Sequence, residues 1–444
     1  MLGRLGKKGA IWAGVVVVFV LGLCVSFFWD RETPESDRGD VASAPVVAPD
    51  TLPDRVGVDA PMSGETDVFE EPVSVETEVA IDALAESLRR LSETPGVVPG
   101  ELLLQFQNPQ DIGALRGRAG SLGIRVLWSD ARLSSARISF SDADLLAREL
   151  RDNGAITDAG PNFVMRIPGL PEEPVLGTDS ANAGGTEPFE DRLLASLGAN
   201  VDRSGWGEGV TVAILDSGIS GHPSLENVAI TRIDLSNIDA IHGHGTAMAS
   251  LVAGQLAPAE GIAPAAGLID LRITDENGAS NTGLVAEAIL SAADRRADVI
   301  NLSLGTYGDS AVLRAAIDYA VERNIVVVAA AGNEQADRLA FPAGYSGVVS
   351  VGAVDATNTQ AYFSNSGESL TISAPGVGIF SAHDRKRLVI GSGTSQAAAI
   401  TSGVVAALLS QGVRPSEIVH VLEQNAFQTG APREQVGAGV IRMR

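Results

Sequence analysis

The stretch "GVTVAILDSG", Gly209 to Gly218, runs an almost unbroken apolar segment directly into an aspartate. Four similar runs follow, "GLIDLRI", "DVINLSL", "NIVVVAAA" and "GVVSVGAV", and helical patterns such as "TGLVAEAILSAADRR" and "DSAVLRAAIDYAVERN" lie between some of them. Apolar strands that alternate with helices indicate a mostly parallel sheet with helices on both faces. The predicted fold class is therefore α/β, with functional side chains expected beyond the carboxyl ends of the strands.

Four polar side chains stand at such strand ends or at helix starts. Asp216 follows the first strand, Asn333 follows "VVVAAAG", His244 opens "HGTAMASLVAG", and Ser395 stands near the start of "GTSQAAAITSGVVAALLS". A serine needs a base to become a nucleophile, histidine is the usual base near neutral pH, and a carboxylate orients the imidazole. An amide side chain and the free N–H groups of a helix N-terminus can stabilise an oxyanion. The pattern predicts nucleophilic catalysis.

These motifs, Asp-Ser-Gly, His-Gly-Thr, Ala-Ala-Gly-Asn and Gly-Thr-Ser in this chain order, resemble the subtilisin family of serine peptidases. The resemblance covers roughly residues 189–444 and implies a serine endopeptidase that acts on polypeptides. It implies that Asp216, His244 and Ser395 form the catalytic triad and that Asn333 donates to the oxyanion. It also implies substrate-binding roles for six further residues: Ser303, Leu304, Gly305, Ala330, Ala331 and Gly332.

Three positions depart from the family's usual pattern. Gln396 follows the serine where methionine is usual, Ala399 stands where proline is frequent, and Met248 replaces a valine-type residue. None of these changes removes a catalytic atom. Because Gln396 lacks the oxidisable thioether of methionine, we expect the activity to resist peroxide.

The remaining histidines and the acidic turns are the candidate ligands for a metal ion. His222, His242 and His244 could be drawn as a zinc cluster, but no cysteine lies nearby and the H-E-x-x-H spacing is missing. No metal site and no required cofactor are therefore predicted. Calcium is common in the resembling family, yet the turn "TDENGAS" lacks spaced oxygen ligands, and the sequence assigns calcium to no residues. His242, His383 and His420 receive no catalytic role.

A smaller unit is predicted at residues 97–168. Its pattern reads βαββαβ, a split βαβ sandwich that does not by itself identify a function. Placed before a subtilisin-like domain, it resembles the family's propeptide, an intramolecular inhibitor whose last strand would lead into the cleft. Residues 169–190 form an acidic linker with a predicted processing site, and residues 191–444 form the peptidase domain.

The N-terminal part predicts attachment to a membrane. Residues 1–9 carry three positive charges, and residues 10–29 form an apolar run long enough for a transmembrane helix. The charge distribution predicts a cytoplasmic N-terminus and an extracytoplasmic peptidase domain. A cleaved signal peptide is the alternative, although its apolar region would be shorter. Residues 30–96 form an acidic, proline-containing tether with one helix candidate, Ala80–Leu91.

Composition narrows the function further. The chain has 444 residues and a net charge of −23, which disfavours nucleic acid as a partner. Its single cysteine, Cys24, excludes an internal disulfide. We therefore predict a membrane-anchored, self-processing serine endopeptidase. The alternatives are a fully secreted peptidase and a non-catalytic protein-binding module on the same scaffold.

Overall fold

The computed structural model describes residues 75–167, 186–236 and 242–443, which form a small α+β domain and a larger α/β domain. The helices are α1 (Val75–Glu93), α2 (Gln110–Arg118), α3 (Ala143–Asp152), α4 (Leu193–Ser196), α5 (His244–Ala253), α6 (Thr282–Asp294), α7 (Ala311–Glu322), α8 (Thr394–Ser410), α9 (Ile418–Asn425) and α10 (Arg433–Val436). The strands are β1 (Val97–Phe106), β2 (Ile124–Asp130), β3 (Ser135–Phe140), β4 (Ile156–Arg166), β5 (Thr211–Asp216), β6 (Ile230–Asp234), β7 (Gly267–Arg272), β8 (Ala279–Asn281), β9 (Val299–Leu302), β10 (Val326–Ala330), β11 (Val348–Val354), β12 (Ile372–Pro375), β13 (Ile379–Ala382) and β14 (Leu388–Gly391).

The larger domain is built on a sheet of strand order β12-β11-β10-β9-β5-β7-β6, in which every neighbouring pair is parallel. Successive side chains of a strand point to opposite faces. Accordingly, Val212 and Ile214 of β5 pack with residues of α5 and α8, whereas Ala213 and Leu215 pack with residues of α6 and α7. This burial on both faces explains why the strands are apolar throughout, and it confirms the predicted α/β class.

The small domain has the predicted βαββαβ order. Its four strands form an antiparallel sheet of order β2-β3-β1-β4. The edge strand β4 also pairs antiparallel with β8 of the larger domain, so the sheet continues across the two domains. The short strand β8 covers the last two residues of the segment "TDENGAS" and the residue after it. This segment has no apolar run, so the sequence did not predict a strand here.

Helix α1 corrects the predicted start of the small domain. The sequence places Ala80–Leu91 inside a solvated tether, yet Ile81, Ala85 and Leu88 are buried in the core of the small domain. These residues are four and three positions apart, so they lie on one face of the helix, and that face packs against α3 and β1. The small domain therefore begins at Val75 rather than at residue 97.

The predicted linker is also shorter at its C-terminal end. Phe189 is buried in the core of the larger domain, and its N–H donates to the Val377 carbonyl over 2.9 Å. The N–H of Glu187 donates to Asp355 over 3.1 Å. Residues 187–190 therefore belong to the larger domain, whose predicted start was residue 191.

Within the parts of the chain that the structure describes, no helix is long and apolar enough to cross a membrane. The predicted transmembrane run at residues 10–29 lies outside those parts, as do residues 30–74 of the predicted tether.

Candidate active site

Asp216 and His244 form a buried pair at the carboxyl edge of the sheet. Asp216 ends β5 and His244 begins α5, and both side chains are almost fully buried. Both carboxylate oxygens of Asp216 lie 2.9 Å from Nδ1 of His244. The N–H of Ser217 donates a further hydrogen bond of 2.7 Å to the carboxylate. The carboxylate thus fixes the orientation of the imidazole.

The glycine of the His-Gly-Thr motif is required by this close packing. A Cβ at Gly245 would lie 2.6 Å from the Gly218 carbonyl oxygen and 3.2 Å from Oδ1 of Asp216. Ser217 adds a second link, because its hydroxyl accepts a hydrogen bond of 3.0 Å from the N–H of Gly245. The turn after β5 and the start of α5 therefore approach each other through backbone atoms.

Ser395 lies in the first turn of the buried helix α8, as predicted. Its hydroxyl donates to the Ser303 carbonyl over 3.3 Å. Nε2 of His244 is buried and has no hydrogen-bond partner among the described residues. The imidazole nitrogen opposite Asp216 is thus free to accept a proton.

Asn333 is attached to the start of the same helix. Its Oδ1 accepts hydrogen bonds from the N–H of Thr394 (2.9 Å) and from the Thr394 hydroxyl (2.8 Å). The amide Nδ2 then faces Gly393, where a Cβ would lie 3.2 Å from it. Glycine at position 393 keeps the space beside this donor open.

Ser395 and Asn333 line a cleft of about 500 Å³. Five of the six predicted substrate-binding residues also line it: Ser303, Leu304, Gly305, Ala330 and Gly332. Ala331, the sixth, does not line this cleft. Its side chain is fully buried on the opposite side, in the core with residues of α6 and α7, because successive residues of an extended chain face opposite ways.

Sequence reasoning missed several residues of this cleft. Glu334 and Tyr307 line it together, with a hydrogen bond of 2.7 Å from the Tyr307 hydroxyl to the Glu334 carboxylate. The small domain contributes Arg166 and Ile167 at the end of β4. The position of Glu334 beside Asn333 in the sequence was an available signal, whereas the contacts of β4 depend on pairing between distant segments.

The end of β4 enters the cleft as an extended chain. Arg166 and Gly305 exchange two backbone hydrogen bonds of 3.3 Å in an antiparallel bridge. On the other side, the N–H of Ile167 donates to the Gly278 carbonyl over 3.0 Å. Ile167 thus lies between two backbone segments of the larger domain.

A second buried carboxylate lies on the neighbouring strand. Asp270 of β7 is opposite Ile214 of β5 and accepts a hydrogen bond of 3.0 Å from the N–H of Ile219. Its Oδ1 has no hydrogen-bond partner among the described residues. Burial raises the pKa of the Asp270 carboxyl to about 6, and the nearby Asp216 adds to that rise.

The other histidines do not form a metal centre. His222 caps a short turn, since its Nδ1 accepts from the N–H of Ser224 over 3.1 Å, which agrees with a structural role. Burial lowers the pKa of His242, and the neighbouring His244 lowers it further. Across the described residues, no group of three or more His, Cys, Asp or Glu side chains has an arrangement suited to a metal ion.

Known proteins share this architecture and these motifs. A model of the subtilase family matches residues 207–439. A thermophilic serine proteinase from Bacillus sp. (strain AK1) is 30% identical over 344 residues, which cover 75% of this chain and 84% of the relative. Thermitase from Thermoactinomyces vulgaris is 36% identical over 229 residues, which cover 50% of this chain and 82% of thermitase.

A solved structure extends the likeness in fold. The crystal structure of fervidolysin from Fervidobacterium pennivorans, described as a keratinolytic enzyme related to subtilisin, matches with a TM-score of 0.66 and 24% identity. The match covers 78% of this chain and 60% of fervidolysin, and at this identity it shows the fold. Subtilisins need no cofactor for catalysis, which agrees with the sequence-based prediction that no cofactor is required. The chain belongs to the subtilase family and is a subtilisin-like serine endopeptidase.

Proposed function

We propose that this chain is the self-processing precursor of a membrane-anchored endopeptidase, inhibited by its own small domain until it is cleaved. One observation carries the proposal: the end of β4 pairs with Gly305 and Gly278 on the two sides of the cleft that holds Ser395. Backbone pairing of an extended segment along a cleft edge is how a peptide is bound by β-augmentation. The small domain therefore occupies the space that a substrate would use.

Ser395, His244 and Asp216 carry the proposed reaction. The Ser395 hydroxyl turns from the Ser303 carbonyl towards Nε2 of His244, which takes its proton as the oxygen attacks the substrate carbonyl. Asp216 keeps Nδ1 of His244 protonated and stabilises the imidazolium through its two oxygens at 2.9 Å. Because the pair is buried, this interaction is little weakened by water.

The oxyanion is held at the start of α8. Nδ2 of Asn333 is available because Oδ1 is fixed by Thr394, and the backbone N–H of Ser395 is the second proposed donor. The imidazolium of His244 then protonates the leaving amine, the C–N bond breaks, and the acyl group stays on Ser395 as an ester. His244 next takes a proton from the water that attacks this ester, and it gives that proton to the Ser395 oxygen as the acid product leaves.

The proposed substrate is an extended polypeptide. Ser303, Leu304 and Gly305 form one edge, and the segment from Gly278 through β8 forms the other. Ala330 and Gly332 provide small walls for a substrate side chain. Backbone pairing favours any extended chain, so the selectivity of the enzyme depends on such side-chain pockets.

Self-cleavage is proposed within residues 168–190. The described chain stops at Ile167 in the cleft and resumes at Thr186 on the larger domain, so the connecting sequence begins beside the catalytic residues. The acidic linker has no long apolar pattern. Cleavage there would separate the small domain from the peptidase domain while leaving both sheets intact.

Anchoring at residues 10–29, with the peptidase domain outside the cytoplasm, is the second part of the proposal. Its support is the length of the apolar run, about 30 Å as a helix, and the basic residues before it. Alkaline extraction of membranes and N-terminal sequencing of the mature protein test it. Recovery of a soluble product that begins shortly after residue 29 would favour a cleaved signal peptide instead.

The Ser395→Ala variant tests the enzymatic proposal. We expect it to remain one full-length chain and to resist labelling by a fluorophosphonate, whereas the unaltered chain labels and releases its small domain. Ser416→Ala, which changes an exposed serine, is the matched control and should behave as the unaltered chain does. Self-cleavage by purified Ser395→Ala would disprove the assignment, and failure of the unaltered chain to label would favour a non-catalytic binding module.

A further inference from the structure

The hairpin of β13 and β14 connects the two helices that carry the catalytic histidine and serine. Its first strand is attached to α5, because the N–H of Ala382 donates to the buried Ser250 hydroxyl over 3.0 Å. Its second strand ends at Gly391, three residues before α8 begins. The hairpin thus spans from the helix of His244 to the helix of Ser395.

His383, at the end of β13, lies against the loop that leads into His244. The residue as a whole is 2% exposed. A Cβ at Gly243 would lie 2.1 Å from Cε1 of the His383 ring and 2.3 Å from each ring nitrogen. Gly243 separates His242 from His244, so the ring of His383 packs on the backbone between the two imidazoles. Only glycine leaves room for this contact.

The polar contacts of one ring nitrogen hold His383 in this place. Its Nδ1–H donates to the Asp384 carboxylate over 2.6 Å, and Nη2 of Arg387 lies 3.1 Å from the same nitrogen. Arg387 also forms an ion pair with Asp384 at 2.5 Å. Nε2 of His383 is buried and has no hydrogen-bond partner among the described residues. The ring is therefore oriented from one side only.

The charges around this contact come from several elements. Asp384 and Arg387 belong to the hairpin, His242 and His244 to the α5 loop and helix, and Asp216 lies behind His244. His222, on the turn after β5, faces the backbone of Arg387. A change at His383 reaches His244 through the packing of the His383 ring on Gly243.

We propose that His383 is a positioning residue for the catalytic base: its buried ring fixes Gly243 and thereby the orientation of His244 towards Ser395. This inference rests on the proposed role of His244 as the base. It assigns a function to a side chain 139 positions from the catalytic histidine in the sequence.

The decisive measurement does not depend on activity. In full-length Ser395→Ala protein, the imidazole signals of His244 are observed by NMR and identified by their loss in a Ser395→Ala, His244→Ala double variant. Adding His383→Leu removes the ring that packs on Gly243. The His244 signals should therefore change in chemical shift and line width, because the imidazole is no longer held in one orientation.

Kinetics of the active chain provide the second measurement. His383→Leu keeps much of the volume and His383→Ala does not, so kcat should fall further in the alanine variant, by about tenfold, with little change in KM. His420→Ala, which changes an exposed histidine on α9, is the control and should leave kcat unchanged.

The outcomes separate the two proposals. A loss of thermal stability with no change in the His244 NMR signals or in kcat would reduce His383 to a packing residue and overturn the inference. A chain that shows no peptidase activity at any pH would overturn the proposed function, while the NMR signals of His244 would still decide whether His383 orients that ring.

Discussion

Two pairs of ionisable side chains lie close together in the larger domain and differ in their partners; His242 is half-buried, and the other three are buried. Asp216 and His244 are hydrogen-bonded to each other, with both carboxylate oxygens 2.9 Å from Nδ1 of the imidazole. Asp270 and His242 are their neighbours on the next strand and in the preceding loop. Each of these two keeps one buried polar atom, Oδ1 and Nδ1 respectively, with no hydrogen-bond partner within the described ranges.

The difference teaches that burial alone does not make a catalytic group. Burial without a strong partner makes the charged form costly, so the pKa of Asp270 rises and that of His242 falls. The carboxylate of Asp216, in contrast, lies 2.9 Å from Nδ1 of His244 and accepts a hydrogen bond from the N–H of Ser217. Substitutions of Asp216 and His244 should therefore affect catalysis much more than substitutions of Asp270 and His242. Enzyme kinetics can test this contrast.

The largest expected contrast is between the two histidines. His244→Ala removes the base and should lower kcat by about 10⁵-fold or more, while His242→Ala should change kcat/KM by less than about tenfold and move its pH dependence modestly. The measurement is hydrolysis of a peptide substrate by both variants across pH. Comparable losses from both would show that the two imidazoles act as one unit and would reopen a metal site at this loop.

The two aspartates give the next contrast. Asp216→Asn should lower kcat by about 10⁴-fold, because an amide can donate to Nδ1 of His244 and select the wrong tautomer. Asp270→Asn retains an acceptor for the N–H of Ile219 and should keep kcat within about threefold. Steady-state kinetics of the two variants decide the matter. A large loss in Asp270→Asn would mean that Asp270 takes part in orienting the catalytic turn.

The local part of this site could be predicted from the sequence. Asp216 and Asn333 follow apolar strands, and His244 and Ser395 open helices of small residues, so strand ends and helix starts placed them correctly. The strands themselves were evident because burial on both faces makes them continuously apolar. Such signals are contained within about ten neighbouring residues.

The contacts between distant segments could not be predicted in this way. Strand β8 has no apolar run and exists through its pairing with β4. Helix α1 had a recognisable pattern, but its place in the small domain depends on what its apolar face meets. His383 had no identifiable partner in the sequence, since its contact with Gly243 joins residues 140 positions apart.

The raised pKa of the buried Asp270 carboxyl should also appear in the pH dependence of stability. Its pKa is about 6 in the folded chain against the usual 3.8, so the folded state holds the extra proton between those values. Stability should therefore decrease as the pH rises from 4 to 6, with the full cost above pH 6. Asp270→Asn avoids this cost, on the order of 3 kcal/mol.

Calorimetry in the Ser395→Ala background, which prevents self-digestion, measures this effect. The melting temperature of Asp270→Asn minus that of its parent should increase from pH 4 to pH 8. A difference that stays constant over this range would mean that Asp270 is ionised in the folded state at all these pH values, with a partner that compensates it.

The smallest expected effect concerns a buried side chain that is neutral and cannot titrate. Gln396 is buried beside Ser395, and its amide fills the space next to Gly391, where a Cβ would lie 2.5 Å from Nε2. A methionine there would present a thioether next to the nucleophile, and its sulfoxide would add an oxygen beside Ser395 and Gly391.

We expect peroxide to inactivate Gln396→Met faster than the unaltered chain, as measured by the remaining fluorophosphonate labelling. Met248→Leu, at a fully buried methionine of α5, should match the unaltered chain, and equal inactivation of Gln396→Met and the unaltered chain would refute the role of position 396.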